Sequence, residues 1–93
     1  MALDLDEATV REFIGCLAVQ VELDKDSGDE VAQMVHSYAF KTACRVADIF
    51  TGMSAFHIAE EARETAKQIV RNGGDWKRQI ALLHSYEERY PVK

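Results

Sequence analysis

Proline is almost absent from the sequence, since the only one, Pro91, stands near the end of the 93 residues. Proline is the strongest helix breaker, so its scarcity leaves nearly the whole chain free to form helices. No segment shows the sustained alternation of apolar and polar residues that is typical of a half-buried strand. These two absences favour an all-α fold and argue against a sheet.

Cysteine is also scarce, because Cys16 and Cys44 are the only two, and they lie 28 positions apart without metal-ligand spacing. Such isolated thiols are typical of buried apolar residues in a reducing compartment. The first ten residues, MALDLDEATV, carry acids where a signal peptide carries Lys or Arg. No run approaches the roughly 18–20 apolar residues of a membrane span. We therefore expect a cytoplasmic protein that does not cross a membrane.

Motifs of catalysis are missing as well. The sequence has no G-x-S-x-G, no glycine-rich phosphate loop and no H-E-x-x-H. The pairs His57–Glu60 and His84–Glu87 place a histidine and a carboxylate on one helix face. However, the first two helices supply no inward glutamate to complete the di-metal site of a helical bundle. We expect neither an enzyme nor a bound metal or cofactor.

Apolar residues make up 47% of the chain, which is ordinary for a globular protein, and 93 residues suffice for one domain. Apolar periodicity predicts four helices over residues 7–23, 28–50, 55–71 and 76–90. Asp6 and Ser54 are expected to cap the first and third helices, and Pro91 to end the fourth. The predicted fold is a compact, bundle-like, all-α domain of four helices spanning residues 1–93.

The second predicted helix is apolar on two sides. One side carries a narrow stripe, Val31, Val35, Tyr38, Thr42, Val46 and Ile49, and the other carries Phe40, Ala43 and Ala47. A helix of this kind normally touches neighbours on both sides. We therefore expect the second helix to be the central one.

The segment DKDSGDE, residues 24–30, resembles the start of a calcium-binding loop. An EF-hand loop needs a glutamate at its twelfth position to donate two oxygens, and that position here is Val35. Ser27 followed by Glu30 instead has the spacing of a helix capping box. The segment is therefore interpreted as a joint between two helices.

Charge is unevenly distributed along the chain, whose net charge is −5. The first 30 residues hold nine acids against two bases, whereas the remainder holds nine bases against seven acids. This balance disfavours broad nucleic-acid binding and is compatible with a basic protein partner. The alternative is a solvated acidic face that maintains solubility. One basic cluster, Lys67, Arg71, Lys77 and Arg78, is the remaining candidate for nucleic-acid contact.

The first helix carries an apolar surplus. Cys16, Val19 and Leu23 form a second stripe, where a peripheral helix should be polar. The acids that accompany this stripe could form the polar rim of an interface, and they are Glu22, Asp24 and Asp26. Two interpretations stay open, namely burial within the monomer and contact with another chain.

The favoured hypothesis is a small acidic protein-binding module, acting as an adaptor, a regulator or a stoichiometric inhibitor. Its partner surface would be the second stripe of the first helix with the neighbouring acids. A homo-oligomeric structural component that uses the same stripe is the first alternative. A weak nucleic-acid binder that uses the basic cluster is the second.

Overall fold

The computed structural model describes residues 6–89. Four helices account for most of this part of the chain: α1 (Glu7–Asp24), α2 (Glu30–Thr51), α3 (Ala55–Arg71) and α4 (Trp76–Arg89). Between residues 6 and 89 there is no strand, which confirms the predicted all-α fold of four helices. None of these helices is both long enough and apolar enough to cross a membrane. The predicted end of α4, at Tyr90 and Pro91, lies outside the described residues.

The joint between α1 and α2 is capped differently from the prediction. Asp29, rather than Ser27, is the N-cap of α2, and its Oδ1 accepts the backbone N–H of Ala32 at 3.0 Å. The Ser27 hydroxyl donates instead to the backbone carbonyl of Asp24 at 2.8 Å. The predicted capping box is therefore wrong, because Ser27 closes the turn that ends α1. The predicted N-cap Asp6 is confirmed, since its carboxylate accepts the backbone N–H of Thr9 at 2.7 Å.

The turn between α2 and α3 is set by a glycine and a distant carboxylate. Gly52 ends α2 with a φ of 74°, a left-handed conformation that side-chain-bearing residues rarely adopt. Ser54 occupies the N-cap position of α3, but its side chain makes no capping hydrogen bond. Asp48, in the last turn of α2, accepts the backbone N–H of Ala55 at 3.1 Å instead. This contact ties the start of α3 to the end of α2.

The centre of the fold is α1, not α2 as predicted. It packs against each of the other three helices, while α2 and α3 also contact each other and α4 rests mainly on α1. Residues 16–19 are all buried, so that α1 is covered on every side. A helix that is apolar all round must be covered all round. The apolar surplus on α1 is therefore the signal that marks the central helix.

The other helices each bury one face against α1. They contribute a compact set of core side chains: Phe40, Cys44 and Ala47 from α2, Ile58 and Ala66 from α3, and Leu83 from α4. A polar contact supplements this packing at α4, where the Tyr86 hydroxyl donates to Glu12 Oε1 at 2.5 Å. This hydrogen bond, with burial added to it, raises the pKa of Tyr86 to about 12. The Tyr86 ring also stands edge-on to Phe13, with 5.6 Å between the ring centroids.

A small groove lies between α1 and α3, and Gly15, in the middle of α1, is part of its lining. Its volume is about 150 Å³, and its lining is Arg11, Ile14, Gly15, Ile58, Glu61, Ala62 and Thr65. A Cβ atom placed on Gly15 would meet no atom within 4 Å apart from the adjoining backbone of α1 and the two neighbouring residues. No neighbouring element packs so closely against α1 at this position that only a glycine would fit.

Candidate protein-binding surface

The apolar stripe predicted to bind a partner is part of the core. Cys16 and Val19 are 0% and 1% exposed, and Leu23 is partly buried against the same core cluster. Of the two interpretations left open by the sequence, burial within the monomer is the correct one. The prediction that this stripe is a contact surface is wrong, because α2, α3 and α4 already cover α1.

The predicted acidic rim is likewise engaged within the domain. Glu22 is buried, and its two carboxylate oxygens contact Lys25 Nζ at 2.8 Å and Arg71 Nε at 3.0 Å. Burial raises the pKa of Glu22, but the hydrogen bonds from Lys25 and Arg71 outweigh it and hold the pKa below its usual value. Asp26 contacts the same arginine, 2.5 Å from its Nη1. Arg71 therefore joins the end of α3 to the end of α1.

Asp24 makes the corresponding link between α1 and α2. One oxygen of its buried carboxylate lies 2.5 Å from His36 Nδ1, and the other accepts the Gln20 amide at 2.9 Å. Both oxygens are thus occupied by side chains of the domain. Asp24 acts in the helix joint that the sequence predicted, and it is not part of an exposed rim as predicted.

The predicted basic cluster does not act as one surface. Arg71 is paired with Glu22 and Asp26, as described above. Lys67 lies on an exposed face of α3 that also carries two glutamates, Glu60 and Glu64. Lys77 lies over the ring of its neighbour Trp76, with 5.7 Å between its Nζ and the ring centroid. Arg78 is exposed at the start of α4.

Neither cysteine is placed for chemistry with solvent. Both are buried, and burial, together with the charge of Glu12, raises the pKa of Cys16 to about 11. Burial also raises the pKa of Cys44, which the charge of Arg63 partly offsets. The Cys16 thiol donates to the side-chain carbonyl of Gln79, with 3.4 Å between sulfur and oxygen. Both thiols occupy core positions, as the sequence predicted.

The histidine–glutamate pairs are exposed on their helices. His57 contacts the ring of Phe56 edge-on, with 5.8 Å between the ring centroids. In the described part of the chain, no three His, Cys, Asp or Glu side chains are grouped closely enough to hold a metal ion.

The most unusual surface of the domain is the outer side of α2. Large apolar side chains that the sequence assigned to a buried stripe point to solvent, with Val31 67%, Tyr38 74% and Ile49 80% exposed. Met34, Val35 and Val46 are exposed on the same side. We call this surface the α2 face and define it by eight exposed residues: Val31, Met34, Val35, Tyr38, Thr42, Arg45, Val46 and Ile49.

The α2 face has the spacing of a helix-packing seam. Positions 31, 35, 38, 42, 45 and 49 follow one another at alternating intervals of four and three. This seven-residue repeat keeps one edge of a helix facing a partner helix in a coiled coil. Within residues 6–89 no other helix covers this edge, since α1 and α3 contact the opposite side of α2 through Phe40, Cys44 and Ala47. The α2 face is therefore a seam without a partner inside the domain.

Two further features border the α2 face. Phe50 and Phe56, on either side of the turn between α2 and α3, are 83% and 71% exposed, and neither belongs to the seam. Lys41 and Arg45 lie along one side and make no ion pair with any residue between 6 and 89. Among the described residues of α2, the charged side chains nearest the middle of the seam are these two cations.

Comparison of this chain with family models, curated proteins and solved structures finds no match. The residues and the geometry described above are therefore what bears on function. They define a small all-α domain that has a closed core and one exposed apolar helix face.

Proposed function

We propose that this protein is a small binding module that acts by holding another protein chain against its α2 face. The observation that supports the proposal is the exposure of this face. A monomeric soluble protein rarely exposes a contiguous apolar patch larger than a few hundred Å², and larger patches mark interaction sites. Six large apolar side chains on one side of a single helix form such a patch.

The form of the surface favours a helical partner. A straight apolar edge with a seven-residue repeat fits a second helix, because the side chains of each helix fill the gaps between those of the other. Adaptors, regulators and stoichiometric inhibitors all act in this way, without chemistry of their own. A cytoplasmic location, inferred from the sequence, belongs to the same proposal.

The partner of the α2 face need not be basic. A basic partner was expected because of the acids near residue 24, but Glu22, Asp24 and Asp26 are each held by side chains of the domain. The α2 face itself carries the cation Arg45, and Lys41 lies beside it. Nucleic-acid binding is not proposed, because Arg71, the middle of the predicted basic cluster, is committed to Glu22 and Asp26.

The test is a comparison of three baits in a pull-down from cell lysate. The baits are the wild type, a variant with Tyr38→Asp and Ile49→Asp, and a control with Phe56→Asp, whose exposure is similar but which lies outside α2. Each changed side chain is mostly exposed, so all three baits should have the same helical circular dichroism. We expect a protein that the wild type and the control retain and that the α2 variant loses. Equal retention on three folded baits would refute the proposed surface.

A further inference from the structure

We propose that the α2 face binds a second copy of this chain, forming an antiparallel two-fold dimer in which α2 packs against α2. This inference depends on the proposed function and names the partner of the same surface. It rests on the order of residues along the face, on its charge and on its area.

The order of residues along the α2 face is symmetric about position 40. In an antiparallel pair centred there, Val31 lies level with Ile49 of the second copy, and the larger Tyr38 lies level with the small Thr42. Between these two pairs, Met34 lies level with Val46 of the second copy, and Val35 lies level with Arg45 of the second copy. Each of the eight residues thus lies level with another residue of the α2 face in the second copy, which is the condition for a self-complementary two-fold interface.

Charge selects the antiparallel direction. A parallel pair would set Arg45 against Arg45 within the seam, and like charges facing each other across an interface are unfavourable. In the antiparallel pair Arg45 lies level with Val35 instead. Its aliphatic stem can cover that valine while the guanidinium reaches solvent at the edge.

The size of the surface is adequate for a stable dimer. From residue 31 to residue 49, α2 extends about 27 Å at 1.5 Å per residue. Eight exposed side chains that each offer on the order of 100 Å² give roughly 800 Å² per copy, the area of a standard protein interface.

The first experiment measures the mass of the protein by analytical ultracentrifugation over a range of concentrations. We expect a reversible dimer for the wild type and for the control Phe56→Asp. Tyr38→Asp should weaken the dimer by roughly 100-fold, because it places a charge at the centre of the seam where an aromatic residue contributed most. A monomeric wild type, or a Tyr38→Asp variant that dimerises as well as the wild type, would overturn the inference.

The second experiment tests the direction of the helices with introduced cysteines. In the antiparallel dimer, Val31→Cys of one copy lies beside Ile49→Cys of the other, whereas two copies of position 31 lie about 27 Å apart along the axis. Mild oxidation should therefore cross-link a mixture of the two single variants and leave each variant alone uncross-linked. The native Cys16 and Cys44 are buried and do not compete. Cross-linking of Val31→Cys with itself would show a parallel pair and contradict the inference.

These results separate the inference from the proposed function. A monomeric wild type that retains a lysate protein through the α2 face would refute the dimer and leave the binding module standing. A monomeric wild type that retains nothing through this face would refute both. A dimer that survives Tyr38→Asp would refute the α2–α2 dimer, since its contacts would lie on another surface, and the pull-down would then decide the proposed function alone.

Discussion

Replacing Gly15 by alanine should stabilise the domain. Gly15 lies in the middle of α1, has no positive φ and has open space where a Cβ would stand. In a helix interior, glycine is less favourable than alanine by about 0.8–1.0 kcal/mol, because it loses more backbone freedom on folding. No clash subtracts from this gain, since no atom beyond the adjoining backbone of α1 and the two neighbouring residues lies within 4 Å of the added methyl group. We therefore expect about 1 kcal/mol of added stability.

The measurement is thermal and urea unfolding followed by circular dichroism. For a domain of this size, 1 kcal/mol corresponds to a rise in Tm of about 4–8 °C. The matched control is Gly74→Ala, whose Cβ would approach the backbone of Ile69 at 3.0 Å and should lower the Tm. An unchanged or lower Tm for Gly15→Ala would contradict the prediction, because it would mean that the groove between α1 and α3 has no room for the added methyl group.

Three further predictions concern the core. Val19→Asp should unfold the domain, because a buried unpaired carboxylate costs several kcal/mol against a typical total of about 5–15 kcal/mol, and loss of the helical circular dichroism would show it. Tyr86 should titrate near pH 12, as followed by absorbance at 295 nm. Its raised pKa contributes stability to the fold that is fully present below pH 10 and is lost as the pH rises towards 12. Glu12→Gln should lower the midpoint of the Tyr86 titration. Cys16 and Cys44 should react with a thiol reagent only after denaturation, so rapid labelling of the native protein would contradict their burial.

Much of the fold could be predicted from the sequence, because periodicity and end signals are local. The sequence predicts the starts of all four helices and the ends of α1, α2 and α3 to within about two residues, and it identifies the cap at Asp6 from its position before an apolar run. The cap of α2 was misplaced because Ser27 and Asp29 are both good capping residues and lie two positions apart. Only the turn geometry, in which Ser27 bonds back to Asp24, decides between them.

The candidate surface could not be placed in the same way, because burial depends on which helices meet. Both α1 and α2 carry apolar residues on two sides, and a domain with one core can cover only one such helix completely. The sequence indicated an apolar surplus and a partner, but it assigned the surplus to Cys16 and Val19. The structure covers those residues and exposes Val31, Tyr38 and Ile49 instead. The seven-residue spacing along α2 was the available signal for this outcome.

The position of α1 at the centre of the fold has a consequence for how the protein is made. During synthesis α1 leaves the ribosome before any helix that covers it, and α4, which rests mainly on α1, leaves last. At about 5–20 residues per second, the 65 residues from Asp24 to Arg89 take roughly 3–13 s to follow. Throughout this interval the most apolar helix of the chain lacks its full cover. Nascent chains stalled before α4 should therefore bind chaperones and be cut by proteases, whereas chains released after α4 should resist both.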